Sequence, residues 1–160
     1  MSKNICVDNY GYADESGQIH ENGWYELLYV RDGQVLNGPE TVNGKKYYFD
    51  GYAETGVFFT DGAYYYYDGN TGKRSKVSLK EGWNKIGGEW YYSNQGTLVT
   101  DSREINGVYY HFDAIGRMER NCVYGNQYLG DDGLPVKNKW VKEEDWDIWH
   151  YYDSNGCAVS

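Results

Sequence analysis

Short runs rich in Tyr, Trp and Phe alternate along the chain with clusters of Asp, Asn, Ser and Gly, and each cluster gives way to a brief β-branched or aliphatic stretch. Three segments show the pattern most clearly: "VNGKKYYFDGYAETG" (Val42 to Gly56), "IGGEWYYSNQGTLV" (Ile86 to Val99) and "INGVYYHFDAIGRM" (Ile105 to Met118). Aromatic and β-branched runs favour strands and the polar clusters favour turns, so each copy predicts a β-hairpin of ring strand, turn and aliphatic return. No window of ten or more residues carries the apolar spacing of a helix.

Aligned on the turn glycine, the copies fall at Gly17, Gly33, Gly56, Gly72, Gly96, Gly116, Gly133 and Gly156, which lie 16 to 24 residues apart and about 20 on average. Tyr stands five residues before the glycine in five copies (Tyr12, Tyr67, Tyr91, Tyr128, Tyr151), and an apolar residue stands two after it in six; Arg74 and Pro135 depart from the second rule. Short and long gaps roughly alternate, so a pair of copies spanning about 40 residues can be the true unit. Glycine suits the turn because it enters positive φ without a Cβ clash. A unit of this size cannot bury its own apolar face, so copies must stack. The expectation is an all-β solenoid of about eight stacked β-hairpin repeats of roughly 20 residues, forming one elongated domain over residues 1–160, with repeats from about Val7. Because side chains alternate across a strand, Tyr47 and Phe49 share one face and Tyr48 takes the other.

Composition narrows the function. There are 19 Tyr and 6 Trp in 160 residues, yet mean hydropathy is −0.82, so ring planes rather than Leu and Ile build the core. A net charge of −9 argues against nucleic acid and anionic membrane surfaces, and no apolar stretch approaches a membrane span, so no membrane insertion is expected. The acidic run "KEEDWD" (Lys142 to Asp147) reads as a solvated loop. Cys6, Cys122 and Cys157 match no zinc spacing, and their odd number cannot close completely into disulfides. "DGNTGKRSKVSL", from Asp68, fails as a calcium loop at its sixth and twelfth positions. The paired carboxylates of "GDDG", Asp131 and Asp132, are explained by a turn. No nucleophile motif, phosphate loop or metal spacing is present, so no enzyme activity, cofactor or metal is expected. The absence of a signal peptide and the ending "CAVS" within a repeat tail predict a fragment of a longer chain.

The copies "VNGKKYYFD", "INGVYYHFDAIGRM" and "GWNKIGGEWYYSNQGTLVTD" resemble the cell-wall-binding repeat superfamily of Gram-positive surface proteins, which spans choline-binding modules, the glucan-binding repeats of glucansucrases and the receptor-binding repeats of clostridial toxins. The resemblance implies a hairpin solenoid, of either hand, that holds a secreted or cell-wall-associated protein against a cell-wall polymer or polysaccharide. It specifies no oligomeric state. In the choline-binding branch the Trp of "GW", the Trp of "WYY" and a Tyr of an adjacent hairpin form an aromatic cage between units. Trp83, Trp90 and Tyr91 match that motif, with Tyr109 or Tyr110 as the flanking Tyr. Trp140 in "NKW" and Trp149 in "DIWHYYD" match in part, His150 reading as an insertion after Trp149.

A quaternary ammonium needs three or four ring faces around a dry pocket, each worth about 0.5 to 2 kcal/mol. A sugar needs one exposed ring against its apolar face, with nearby Asp, Asn or Gln to fix its hydroxyls. Copies that carry Lys46, Val108 or Ala63 in place of the Trp are more compatible with a glycan. The competing readings are a structural stalk, in which every ring is a spacer, and a choline-binding module.

Overall fold

The computed structural model describes residues 5–7, 11–13, 19–20, 22–25, 27–32, 34–143 and 147–159, with the backbone alone at 5–7, 11–13, 19–20 and 25. Gly17 and Gly33 of the repeat, and residues 144–146 of the acidic run, lie outside the described residues. The described residues form 22 strands and no helix. The strands pair antiparallel in eight small sheets, each built from two or three consecutive strands. The chain is therefore all-β and built from β-hairpin repeats.

Two compact units divide it, Met1–Ser78 and Leu79–Ser160. The first contains hairpin 1 (Ile5–Val7, Gly11–Ala13, Ile19–His20), hairpin 2 (Gly23–Tyr25, Leu28–Arg31, Gln34–Val35), hairpin 3 (Asn37–Val42, Lys45–Asp50, Tyr52–Ala53) and hairpin 4 (Gly56–Thr60, Ala63–Asp68, Lys73–Lys76). The second contains hairpin 5 (Gly82–Ile86, Glu89–Asn94, Thr97–Leu98), hairpin 6 (Asp101–Ile105, Val108–Phe112), hairpin 7 (Cys122–Tyr124, Gln127–Leu129) and hairpin 8 (Lys139–Glu143, Ile148–Tyr152, Ala158–Val159).

Each repeat holds one strand more than the ring run and its return. A first strand precedes the ring strand, joined to it in hairpins 3, 4, 5 and 6 by Asn43-Gly44, Asp61-Gly62, Gly87-Gly88 and Asn106-Gly107. Both residues of each pair have positive φ, between 50° and 88°. That is the two-residue turn whose twist matches paired strands, and Asn-Gly and Asp-Gly are its strongest signals. The repeat glycine belongs to the second turn, before the return. Gly56 is the exception, because it opens the first strand of hairpin 4.

Contact with the preceding hairpin explains why glycine recurs at the second turn. At Gly72 φ is +67°, and a Cβ would lie 2.4 Å from Cζ of Tyr47 in hairpin 3. At Gly133 φ is +76°, and a Cβ would lie 2.8 Å from Sδ of Met118, behind hairpin 6. The return segments also bind backward through the backbone. Ala53 N–H donates to Leu27 O at 2.6 Å, Met118 N–H to Trp90 O at 2.7 Å and Ala158 N–H to Asn126 O at 2.8 Å. Pro135 occupies the corresponding place in hairpin 7, bridged to Leu129 as Met118 is to Phe112. It has no N–H to offer.

Rings fill the space that this backbone stitching leaves. Tyr47 and Phe49 are buried on the face toward hairpin 2, with centroids 4.8 and 5.8 Å from the Trp24 ring. Tyr48 emerges on the other face and stacks on Phe58 of hairpin 4 at 3.9 Å and 13°. One ring strand thus serves two interfaces, and aromatic pairs of this kind add about 0.5–1.5 kcal/mol each beyond the area they bury. In the second unit, Val99, Ile105, Phe112 and Met118 form the equivalent core, with Trp83, Trp90, Tyr92 and Tyr110 packed on it.

The second turns are closed by their aspartates. Asp113 Oδ1 accepts from the N–H groups of Ile115 and Arg117, and Asp153 Oδ1 from those of Asn155 and Cys157. The N–H of Cys157 and then that of Asn155 hold the Asp153 carboxyl below its ordinary value of 3.8. A carboxylate with a depressed folded value adds stability above its unfolded value, and that stability is lost as the pH falls through the folded one. The acid limb of the unfolding midpoint against pH, below about pH 4, should therefore be shallower in Asp153→Asn than in the wild type. Gly72→Ala should lower stability in urea by about 1–3 kcal/mol, because it meets both a positive φ and the Tyr47 ring.

Candidate functional site

Hairpin 5 places its rings by simple alternation. Trp83 pairs with Tyr92 across the sheet and Lys85 with Trp90, so these four side chains share one face. Tyr91 takes the opposite face, where it is fully buried. It is thereby removed from the surface on which the motif placed it, and in this structure it is a core residue rather than a cage wall. The face that carries Trp83 receives hairpin 6. Tyr110 meets Trp83 edge-on at 4.8 Å, and Phe112 lies 5.9 Å from the same ring. Trp90 stands at 88° to Trp83, 6.2 Å away.

These rings open onto a pocket of about 690 Å³ lined by Trp83, Trp90, Tyr110, Met118, Gly130, Asp131, Asp132 and Val136. The far wall is the second turn of hairpin 7. Asp132 Oδ1 accepts the N–H of Leu134 at 3.0 Å, so its role in the turn is real, and the same residue lines the pocket. Asp131 Oδ1 accepts from Nη1 of Arg120 and, at 3.2 Å, from Nδ2 of Asn121. The site thus joins three ring surfaces to two carboxylates.

Of the residues marked by sequence, Trp83, Trp90 and Tyr110 come together here. Tyr109 does not: strand alternation turns it away from Tyr110, and it is 60% exposed. Trp140 and Trp149 lie on hairpin 8, 59% and 57% exposed. Their register repeats that of hairpin 5, because Trp140 pairs with Tyr151 as Trp83 does with Tyr92, and Lys142 pairs with Trp149 as Lys85 does with Trp90. His150 therefore stands in the place of Tyr91 and is not an insertion. It hydrogen-bonds Glu143 at 2.7 Å, and the Tyr152 hydroxyl donates to the same carboxylate at 3.0 Å. Met118, Asp131, Asp132 and Val136 escaped the sequence reading. The doubled aspartate at a turn that elsewhere carries one, beside the irregular Pro135, was the available signal.

The thiols are separate from the site. Cys122 and Cys157 are both free, and burial together with the nearby Glu119 pushes the Cys122 thiol up to about 11. Among the described residues, no group of three or more His, Cys, Asp or Glu could hold a metal ion.

Over nearly its full length the chain is similar to parts of streptococcal enzymes. It is 31% identical over 169 residues to glucosyltransferase-S of Streptococcus mutans serotype c, covering 99% of this chain and 11% of the enzyme. It is 36% identical over 139 residues to glucosyltransferase-I of Streptococcus downei, covering 84% of this chain and 8% of that enzyme. No protein-family model matches. The repeats resemble those of the cell-wall-binding repeat superfamily. The chain spans about a tenth of the length of these relatives. Among solved structures, choline binding protein F from Streptococcus pneumoniae, determined in the presence of a peptidoglycan analogue, is 25% identical, with 99% of this chain and 55% of that one covered at a TM-score of 0.40. The kinship accordingly rests on sequence.

Burial separates two pairs of tryptophans that sequence treats alike. Trp83→Ala should cost about 3 kcal/mol of stability, because it removes a ring packed on Tyr92, Tyr110 and Phe112. Trp140→Ala and Trp149→Ala should stay within about 0.5 kcal/mol of the wild type. Urea unfolding of the three variants checks the contrast.

Proposed function

We propose that the chain is a non-catalytic module that binds a neutral glycan, of the glucan or cell-wall polysaccharide class, for a secreted or surface-attached protein. The pocket between Trp83, Trp90 and Tyr110 and the Asp131–Asp132 turn carries this reading. A pyranose ring presents an apolar face to an aromatic surface and hydroxyl donors around its rim, and carboxylate oxygens accept from such hydroxyls. The two kinds of surface face one another across one pocket of suitable size for a small ligand. Sequence kinship to parts of glucosyltransferases favours glucans within the class. The relatives' enzymatic activity is no part of the proposal, since the chain matches so small a share of them.

The exposed Trp140, Trp149 and Tyr109 form further platforms along the same repeat, and residues 1–160 act as a single repeat domain in this reading. Their exposure favours binding over a bare stalk, whose rings would all be buried. Ring-on-sugar contacts are individually weak, so a single site should bind a short oligosaccharide at about 1 mM, or roughly −4 kcal/mol. Simultaneous engagement of several platforms multiplies avidity by about 10² or more.

Calorimetric titration with glucose oligomers of increasing length should therefore give affinities that climb with length by about 10², and Trp90→Ala should remove most of the binding to the shorter ones. Equal affinity per site for a monosaccharide and a long polymer would exclude the multi-platform mechanism, and absence of binding to every oligomer would exclude the glycan.

A further inference from the structure

Arg120 ties the first turn of hairpin 5 to the Asp131 wall of the pocket. Its Nε and Nη2 each lie 3.3 Å from Oε2 of Glu89, beside Trp90, and Nη2 also donates to the Gly88 carbonyl at 3.3 Å. Its Nη1 holds Asp131 on the opposite wall. The guanidinium is the more sheltered partner, with its side chain 23% exposed against 42% for Glu89 and 81% for Asp131.

Hairpin 7 has a particular need for such a tie. Hairpins 6 and 8 each return a backbone N–H to the hairpin before them, through Met118 and Ala158. Hairpin 7 has Pro135 at that position and cannot donate. The turn that carries Asp131 and Asp132 is instead fastened by side chains. A planar fork with five donors is suited to this task, because it can bond two carboxylates and a carbonyl at once.

The fork also sets the charge of the pocket. Three ring faces attract a cation, and two bare carboxylates would add to that attraction. With Arg120 in place the charge of Asp131 is offset by a guanidinium that it shares with Glu89, and the bond engages Oδ1 alone, leaving Oδ2 to a hydroxyl. We infer that Arg120 is the positioning and specificity-determining residue of the pocket: it holds Asp131 across from Trp83 and Trp90 as a hydroxyl acceptor whose charge is partly offset, and so biases the site toward neutral polyhydroxylated ligands and away from quaternary ammonium. The inference rests on the pocket being the ligand site, and it deepens the glycan reading.

The test compares choline with its uncharged isostere 3,3-dimethylbutan-1-ol, and both with a linear glucose hexasaccharide, by tryptophan fluorescence titration. The proteins are the wild type, Arg120→Gln, Arg120→Lys and the double variant Arg120→Gln/Asp131→Asn, each checked for its β-type circular dichroism. Arg120→Gln should raise the ratio of choline to isostere affinity about tenfold and weaken the hexasaccharide about tenfold. Arg120→Lys should restore the ratio, because it restores the charge, while leaving the hexasaccharide weaker than in the wild type, because it lacks the fork. Adding Asp131→Asn should return the ratio to that of the wild type. A ratio unchanged in Arg120→Gln, a raised ratio that survives Asp131→Asn, or no binding of choline and its isostere to any of the four proteins overturns the inference. Failure of the wild type to bind the hexasaccharide overturns the glycan reading instead, since the choline ratio is read without a glycan.

Discussion

A hairpin of twenty residues has two faces and no third layer to cover either, so its stability resides in contacts with the hairpins before and after it. Everything else in the structure follows from that dependence. The ring strand must be aromatic on both faces, as Tyr47 and Phe49 on one side and Tyr48 on the other illustrate. At Gly72, Gly133 and Gly156 the second turn must be glycine, because it lies on the preceding hairpin at distances that no Cβ tolerates. The return must offer its N–H backward, and where Pro135 cannot, side chains perform the same office.

A pocket forms where the stacking is incomplete. At hairpins 5 and 6 the rings of one face find Tyr110, Phe112 and Met118, yet the next turn stands off from Trp83 and Trp90 and leaves space between two carboxylates and three rings. Neither surface is specific alone. Rings without the carboxylates would take many apolar ligands, and the carboxylates alone would be a solvated turn. Their juxtaposition depends on hairpin 7 being placed by Arg120 and by the stack of His111 on Tyr124 at 3.9 Å.

Local pattern carried the reading of sequence a long way. The repeat and the alternation of Tyr47, Tyr48 and Phe49 follow from spacing, and the gathering of Trp83, Trp90 and Tyr110 from the resemblance to the choline-binding motif. The segment "VYYHF" (Val108 to Phe112) has its many rings because it has several tasks: Tyr110 and Phe112 pack on hairpin 5, His111 on hairpin 7, and Tyr109 faces outward. Two misreadings were avoidable. Tyr91 had to oppose Trp90, since adjacent strand residues never share a face, and Asn-Gly and Asp-Gly announced the first strand of hairpins 3, 4 and 6. Asp131, Asp132 and Arg120 were of another kind: the doubled aspartate marks an unusual turn, but its approach to hairpin 5 arises between hairpins distant in the chain and is not encoded in a local window.

The half-buried thiol of Cys122 has a consequence for how the molecule ages. Thiol–disulfide exchange proceeds through the thiolate, and a thiol pushed up to about 11 is less ionised at neutral pH than an ordinary one. Glu119, whose carboxylate accepts from the Cys122 Sγ at 3.4 Å, also repels the anionic form. In oxidising surroundings this sulfur is a slow partner for any disulfide it meets. A free cysteine at this position can therefore persist through long exposure without linking one copy of the chain to another.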